Sequence, residues 1–137
     1  HKSIQYAGPE QAVMINGNPD LMAQLLDKII DNAFDFSLPD QPVKVHLNIS
    51  AHNQTYHLAI SNQGPTIARD KLTTVFDSLH SYRNKNRTGS HLGIGLYVAR
   101  LIARFHHADI RIANQYQPDG VVVSLSGPLE NDTKTTA

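Results

Sequence analysis

The stretch Asn18 to Ser37, NPDLMAQLLDKIIDNAFDFS, is the part of this chain on which the rest of the fold depends. Asn18 is a residue type that caps helix N-termini, and Pro19 suits the first helical position, where no backbone N–H is needed. The sequence Ser37-Leu38-Pro39 is typical of a helix end. The stretch therefore predicts a single long helix.

Asn32 lies on the apolar side of this predicted helix. At about 100° per residue, one continuous apolar sector contains Leu21, Met22, Leu25, Leu26, Ile29, Ile30 and Ala33. Asn32 falls inside that sector, where a carboxamide costs roughly 1 to 3 kcal/mol unless it finds partners. Lys28 and Asp35 flank it along the same face. Asn32 is therefore either a core asparagine bonded to a neighbouring loop or a residue that meets a ligand.

Composition excludes several classes of protein. The chain has 137 residues, enough for one domain with a real core, and its 12 Lys+Arg balance its 12 Asp+Glu. Without a run of basic residues we expect no nucleic-acid partner. Absence of cysteine excludes disulfides and thiolate metal sites, and apolar runs are too short to span a membrane. We expect a soluble domain without direct membrane contact.

Alternating and periodic segments give a mixed α/β order. Short strands are predicted at Ile4 to Tyr6 and Ala12 to Ile15, on either side of Gly8-Pro9. The remaining predictions are a hairpin (Pro42–Ala51 and Thr55–Asn62), a short helix (Ala68–Phe76), a polar basic loop (Asp77–His91), a helix (Leu92–Phe105), two strands (Asp109–Ala113 and Gly120–Ser126) and a disordered tail (Glu130–Ala137). Such interleaving favours helices on one face of a mixed sheet.

Two glycine-containing segments complete the set of candidate motifs. Gly89 to Gly95, GSHLGIG, leads into a helix, where free amides and the helix dipole favour phosphate. It is neither a Walker loop nor a Rossmann fingerprint, because no Gly-Lys-Ser/Thr follows and a loop precedes it. Asn62 to Ile67, NQGPTI, places a polar residue at a strand end before a tight turn. Each motif by itself also fits a simple turn.

In this order, the motifs resemble the ATP-binding catalytic domain of sensor histidine kinases, in the family that includes gyrase, MutL and a class of heat-shock chaperones. Asn32 matches the N box, Asn62–Thr66 the first glycine box, Phe76 the F box and Gly89–Gly95 the second glycine box. Asn114 and Gly120–Val123 match the pair of strands with which the family's domain ends. The resemblance implies a Bergerat fold: an α/β (α+β) two-layer sandwich with a mixed, mostly antiparallel sheet and about three helices on one face.

The resemblance also implies the ligands and the residues that contact them. ATP and Mg²⁺ are the expected cofactors, with Asn32 as metal ligand and with Lys28 and Asn32 as catalytic residues. The expected nucleotide-binding residues are Asn32, Asp35, Asn62, Gly64, Thr66, Ile67, Phe76, Arg83, Lys85, Arg87, Gly89, His91, Leu92, Gly93, Gly95 and Leu96. Arg83, Lys85 and Arg87 belong to a segment like the family's ATP lid, although a solvated connector would have the same composition.

Several positions depart from the family pattern. Asn62 replaces the Asp that accepts the adenine amino group, and a neutral amide makes a weaker bond than a carboxylate. Lys28 replaces the Glu of the hydrolysing relatives and cannot act as a general base. Kinases often carry Lys where this chain has Asp35. Lys28 therefore either takes over the phosphate-facing role or forms a surface charge pair with Asp35, which would contribute ~0 to 1 kcal/mol.

Three further replacements affect glycines. Thr66 replaces a glycine of the first glycine box and narrows the turn beneath the base. His91 replaces a glycine of the second box and places an imidazole near the phosphates, where it either bonds a phosphate oxygen or stays solvated. His107 stands where the family has glycine after the second long helix. If His107 adopts a left-handed conformation, the strain is roughly 1 kcal/mol.

By resemblance, residues 1–129 form a histidine-kinase-like catalytic domain that donates the γ-phosphate of ATP to a histidine on a separate dimerisation domain. We expect the acceptor domain to lie outside this stretch of sequence, since none of the eight histidines has an acceptor-like setting. Expected partners are the dimerisation domain and a response regulator receiver domain, within a homodimeric inner-membrane parent whose catalytic domain is cytoplasmic. Two alternatives stay open: a degenerate nucleotide-binding module without kinase activity, and a protein-serine kinase of the anti-sigma-factor type.

Overall fold

A computed structural model describes residues 2–77 and 94–130, which form five strands and three helices. The strands are β1 (Ile4–Ala7), β2 (Val43–Ser50), β3 (Thr55–Gln63), β4 (Asp109–Gln115) and β5 (Gly120–Pro128). The helices are α1 (Pro19–Phe36), α2 (Arg69–Leu72) and α3 (Ile94–Phe105). The strand order is β1-β2-β3-β5-β4, with β1 parallel to β2 and every other pair antiparallel. This is the mixed, mostly antiparallel sheet that the sequence predicts.

Alternation along the strands gives the sheet two different faces. Ile60 on β3 pairs with Val45 on one side and Val123 on the other, and these side chains point toward the helices. The opposite face is polar; His57 Nδ1 lies 2.7 Å from Ser126 Oγ there. Antiparallel sheets commonly bury one face and leave the other in water.

Helix α1 begins as its sequence predicts. Asn18 has extended dihedral angles, and its Oδ1 accepts from the Leu21 N–H at 3.0 Å. Leu25 and Ile29 are fully buried in the main core, where each is worth about 1.5 to 3 kcal/mol relative to exposure. Asn32 and Ala33 are the other buried residues of this helix. The predicted apolar sector, with its internal asparagine, is confirmed.

Helix α3 packs beside α1 and ends in a Schellman motif. The Ala108 N–H donates to Ala103 O at 2.8 Å, and the His107 N–H donates to Arg104 O at 3.1 Å. His107 has φ of 58°, so this residue does adopt the left-handed conformation for which the strain was considered. His106, which is buried, donates from Nδ1 to Ile102 O and accepts the Asn18 N–H at Nε2, 3.0 Å away. This imidazole joins the end of α3 to the start of α1.

The predicted strand from Ala12 to Ile15 is wrong. The segment lies outside the sheet and is held by a hydrogen bond from the Glu130 N–H to Met14 O at 2.8 Å. Val13 and Ile15 are partly buried, which explains the alternation that suggested a strand.

Other differences concern the ends of elements. The helix predicted at Ala68–Phe76 is only Arg69–Leu72, followed by turns, and both closing strands run two residues further than predicted. Positions 78–91 of the predicted loop and residues 131–137 of the predicted tail lie outside the described residues. Within residues 2–77 and 94–130, helices are too short or too polar to cross a membrane.

Candidate functional site

The end of α1 meets the end of β3 through main-chain contacts. The Leu38 N–H donates to Gln63 O at 2.8 Å, which ties the residues after α1 to the last residue of the strand. Gly64 then passes directly beneath the Phe36 carbonyl, where a Cβ atom would overlap the carbonyl oxygen. Only glycine permits this approach. The contact places the last turn of α1, which follows Asn32, against the start of the Gly64–Ile67 turn.

Asn32 and Asn62 are two of three buried polar side chains in the described part of the chain; His106 is the third. Asn32 is 7% exposed and Asn62 is 4% exposed. Because buried polar groups are rare and normally bonded, their position near one end of the sheet marks this region as a candidate ligand site. The two asparagines are also the residues that sequence analysis matched to two different boxes.

The side-chain nitrogen of Asn62 lacks a hydrogen-bond partner among the described residues, although the main chain of Asn62 is fixed. Its Nδ2 is buried without a hydrogen-bond partner among the described residues. Its carbonyl accepts from Gln115 Nε2 at 3.3 Å, and a Cβ on Gly120 would overlap that same carbonyl oxygen. The backbone is therefore closely packed, and relaxation of the strand cannot easily supply the missing partner.

Asn114 holds the turn that follows Asn62. Its Oδ1 accepts from the Ile67 N–H at 2.8 Å, and its Nδ2 donates to Ile67 O at 2.9 Å. In the sheet, Asn114, Val121 and Asn62 are neighbours across β4, β5 and β3. The Gly64 N–H donates to Asp119 O at 3.0 Å and anchors the other end of the turn.

A second apolar cluster lies beside this turn. Its buried members are Ile67, Val75, Leu96 and Val121, with Phe36, Leu72, Phe76 and Ile112 packed around them. Phe76 is half-buried, and the Arg100 guanidinium lies 5.9 Å from its ring centroid, within the range of cation–π attraction. Side chains from α1, α2, α3, β4 and β5 thus meet around the residues predicted to bind a nucleotide.

Ten of the predicted site residues can be placed. Asn32, Asn62, Gly64, Thr66, Ile67, Phe76 and Leu96 line or adjoin the region just described, and Leu96 is 2% exposed. Lys28 is half-buried and Asp35 is exposed on α1. Gly95 is half-buried at the start of α3, and a Cβ there would meet no atom of the described residues within 4 Å. Arg83, Lys85, Arg87, Gly89, His91, Leu92 and Gly93 lie outside the described residues.

Sequence reasoning missed three residues that shape the site. Asn114 was assigned no role beyond matching the family ending, although it makes both bonds to Ile67. Gln115 and Arg100 were not singled out at all. Their partners are distant in sequence, so no local pattern marks them. A polar residue at the end of an otherwise alternating strand, as at Asn114, is the one signal that could have been used.

The donors present fit a Mg²⁺ ion held largely by a substrate. No group of three or more His, Cys, Asp and Glu suited to a metal occurs within residues 2–77 and 94–130. Mg²⁺ prefers oxygen ligands and is usually held by few protein groups together with phosphates and water. The buried carboxamide of Asn32 offers one such oxygen, so the site suits a metal that arrives with a nucleotide.

Comparison with known proteins identifies the relatives. Sensor protein kinase WalK of Staphylococcus epidermidis is 26% identical over 123 residues, covering 89% of this chain and 20% of WalK. Sensor protein CutS of Streptomyces coelicolor is 26% identical over 130 residues, covering 93% of this chain and 31% of CutS. The chain thus spans between a fifth and a third of the length of these curated relatives.

Solved structures and a family model agree with this. The catalytic domain of histidine kinase ThkA superposes with a TM-score of 0.77 at 18% identity, over 95% of this chain and 82% of that one. The mycobacterial sensor histidine kinase MprB gives 0.75 at 20% identity, over 94% and 81%. The predicted fold is therefore confirmed. A family model described as histidine kinase-, DNA gyrase B- and HSP90-like ATPase matches residues 17–131, and the chain belongs to that family.

Proposed function

We propose that this domain binds Mg-ATP and donates the γ-phosphate to a histidine on a separate helical dimerisation domain, as the catalytic part of a two-component sensor histidine kinase. The observation that carries the proposal is the burial of Asn32 on the core face of α1, near the contact of that helix with Gly64. A carboxamide on this largely apolar face favours a ligand that uses its oxygen or its amide hydrogens. Membership in the ATPase family indicates which ligand to expect.

Each residue of the site has a distinct task in this proposal. Asn32 supplies an oxygen to Mg²⁺, which when bound neutralises charge on the phosphates. Asn62 faces the edge of the base, and the buried cluster around Ile67 and Leu96 provides the apolar surface beside it. Gly95, with open space above its Cα, leaves room for a phosphate at the start of α3.

Phosphoryl transfer depends mainly on positioning and charge neutralisation, so a donor domain needs no general base of its own. Lys28 cannot activate water as a carboxylate would. The nucleophilic imidazole belongs to the acceptor domain. We therefore expect the isolated domain to bind ATP but to hydrolyse it negligibly. Robust hydrolysis by a clean preparation would contradict the argument that the site lacks a general base because Lys28 replaces a glutamate.

The decisive experiment is calorimetric titration of ATP and ADP into the domain with Mg²⁺. Wild type should bind ATP with a micromolar to sub-millimolar Kd, and binding should collapse in Asn32→Ala. Asn48→Ala, on the polar face of β2, makes the same change far from the site and should bind as wild type does. If Asn32→Ala bound Mg-ATP normally, the proposed metal position would be refuted.

A second function is favoured by two residues of the first glycine box. Asn62 replaces an acidic residue and Thr66 a glycine, which suits a module that senses ATP or ADP without transferring phosphate. The two functions differ in one assay: incubation with labelled ATP and the dimerisation domain of the longer protein. Label on a histidine of that domain supports the kinase, whereas nucleotide binding without transfer supports the sensor.

The proposed partners follow from the kinase function. They are the dimerisation domain of the same protein, a response regulator receiver domain and, in the parent, a second copy of the protein. The parent would be an inner-membrane sensor that carries this domain in the cytoplasm. Co-purification of the full-length protein with membranes, and its mass in detergent, would test location and dimerisation together.

A further inference from the structure

The Asn62 carboxamide is the feature of the site that ATP binding alone explains least well. It is 4% exposed, and its Nδ2 has no hydrogen-bond partner within the described residues. Native proteins rarely leave a buried donor unpaired, because the loss of its bond to water is then uncompensated. An unpaired donor in a candidate binding site favours a ligand that presents an acceptor.

The surroundings of Asn62 limit how it could satisfy this donor by itself. Its main chain is paired with Val121 in the sheet, and its carbonyl is bonded by Gln115 Nε2 at 3.3 Å. The Gly120 Cα packs closely against the same carbonyl. The strand therefore cannot shift without breaking contacts on both sides. Rotation of the carboxamide about its own axis is the remaining freedom.

An amide and a carboxylate differ in which purine bases they can pair with. The Watson–Crick edge of adenine offers the N6 amino donor and the N1 acceptor, whereas a 6-oxopurine offers the O6 acceptor and the N1–H donor. A carboxamide carries one donor and one acceptor and pairs with either edge by turning over. An ionised carboxylate only accepts, so it repels an O6 atom facing it.

We propose that Asn62 allows this site to take 6-oxopurine nucleotides as well as ATP, with Nδ2 donating to O6. The inference rests on the proposed nucleotide-binding function and names the base that the site tolerates. The Asn62 Nδ2, buried without a hydrogen-bond partner among the described residues, is the donor that an O6 acceptor would satisfy.

Inosine triphosphate is the appropriate probe, because it carries the 6-oxo group without the 2-amino group that guanine adds. ATP and ITP are titrated calorimetrically with Mg²⁺ into wild type, Asn62→Asp and Asn48→Asp. Asn48→Asp makes the same charge change on the exposed face of β2. Wild type and Asn48→Asp should bind ITP within about fivefold of ATP. Asn62→Asp should shift the ratio toward ATP by at least tenfold, since a charge-assisted bond is roughly twice as strong as a neutral one.

The outcomes distinguish this inference from the proposed function. If wild type binds ATP but binds ITP more than about fivefold more weakly, the inference fails while nucleotide binding stands. If the ratio is the same in folded Asn62→Asp as in wild type, Asn62 does not read the 6-position and the inference also fails. Should Asn62→Asp not fold, the wild-type ratio still decides. If neither ATP nor ITP binds to wild type, the proposed function itself is refuted.

Discussion

Asn114 offers the sharpest test of how the candidate site is held together. Asn114→Ala removes both hydrogen bonds to the Ile67 main chain, at 2.8 and 2.9 Å. Ile67 is 7% exposed, so its N–H and C=O would lose these partners in a poorly hydrated position. Each lost hydrogen bond costs about 1 kcal/mol net, and more where a buried group stays unpaired. We expect the free energy of unfolding to fall by about 2 to 4 kcal/mol.

Urea denaturation followed by circular dichroism measures this loss directly. At about 4 °C for each kcal/mol in a domain of this size, the Tm should fall by roughly 8 to 16 °C. Asn48→Ala is the matched control, since it also truncates an asparagine in a strand but on the exposed face. That control should change stability by less than about 0.5 kcal/mol.

A second readout separates the turn from the rest of the fold. If the turn bonded by Asn114 lines the nucleotide site, Asn114→Ala should weaken ATP binding about five- to tenfold at a temperature where the domain stays folded. A destabilisation below 1 kcal/mol, indistinguishable from that of Asn48→Ala, would refute the account of Asn114 as the anchor. If Asn114→Ala loses the expected ~2 to 4 kcal/mol but binds ATP as tightly as wild type, only the link between this turn and the ligand is refuted.

Four further substitutions follow from the structure. Gly64→Ala should lower the free energy of unfolding by about 1 to 3 kcal/mol in urea denaturation, because the added methyl overlaps a main-chain carbonyl of α1. Gly95→Ala should instead raise the free energy of unfolding by about 0.5 kcal/mol, because the added methyl meets no atom of the described residues and alanine favours the helix. The same substitution should weaken ATP binding, measured by calorimetry, if a phosphate approaches Gly95. His107→Gly should raise Tm by relieving roughly 1 kcal/mol of strain at φ 58°. Tyr56→Phe should stabilise by up to about 1 kcal/mol, since the buried hydroxyl lacks a partner among the described residues. Burial raises the pKa of Tyr56, so the unfolded state releases this proton first; wild-type stability should fall above about pH 10 more steeply than that of Tyr56→Phe.

The predictable part of the site consists of residues marked by their own neighbours in sequence. Asn32 interrupts an apolar sector of known period, and Gly64 follows a strand end, so both could be identified as unusual before their contacts were known. The burial of Asn32 is as expected, whereas the packing of Gly64 against α1 was not predicted. The strand predicted at Ala12–Ile15 failed because alternation reports partial burial and does not reveal whether a neighbouring strand is available to pair.

The sequence by itself determined α1 and the hairpin of β2 and β3, because helix capping, hydrophobic periodicity and chain reversal act over a few residues. Only the tertiary structure decided that Asn114 bonds Ile67, 47 positions away, and that the Asn62 Nδ2 is buried without a partner in the described part of the chain. These facts depend on which strands lie side by side and on how α1 meets Gly64. Such contacts join residues far apart in sequence, and no local pattern encodes them.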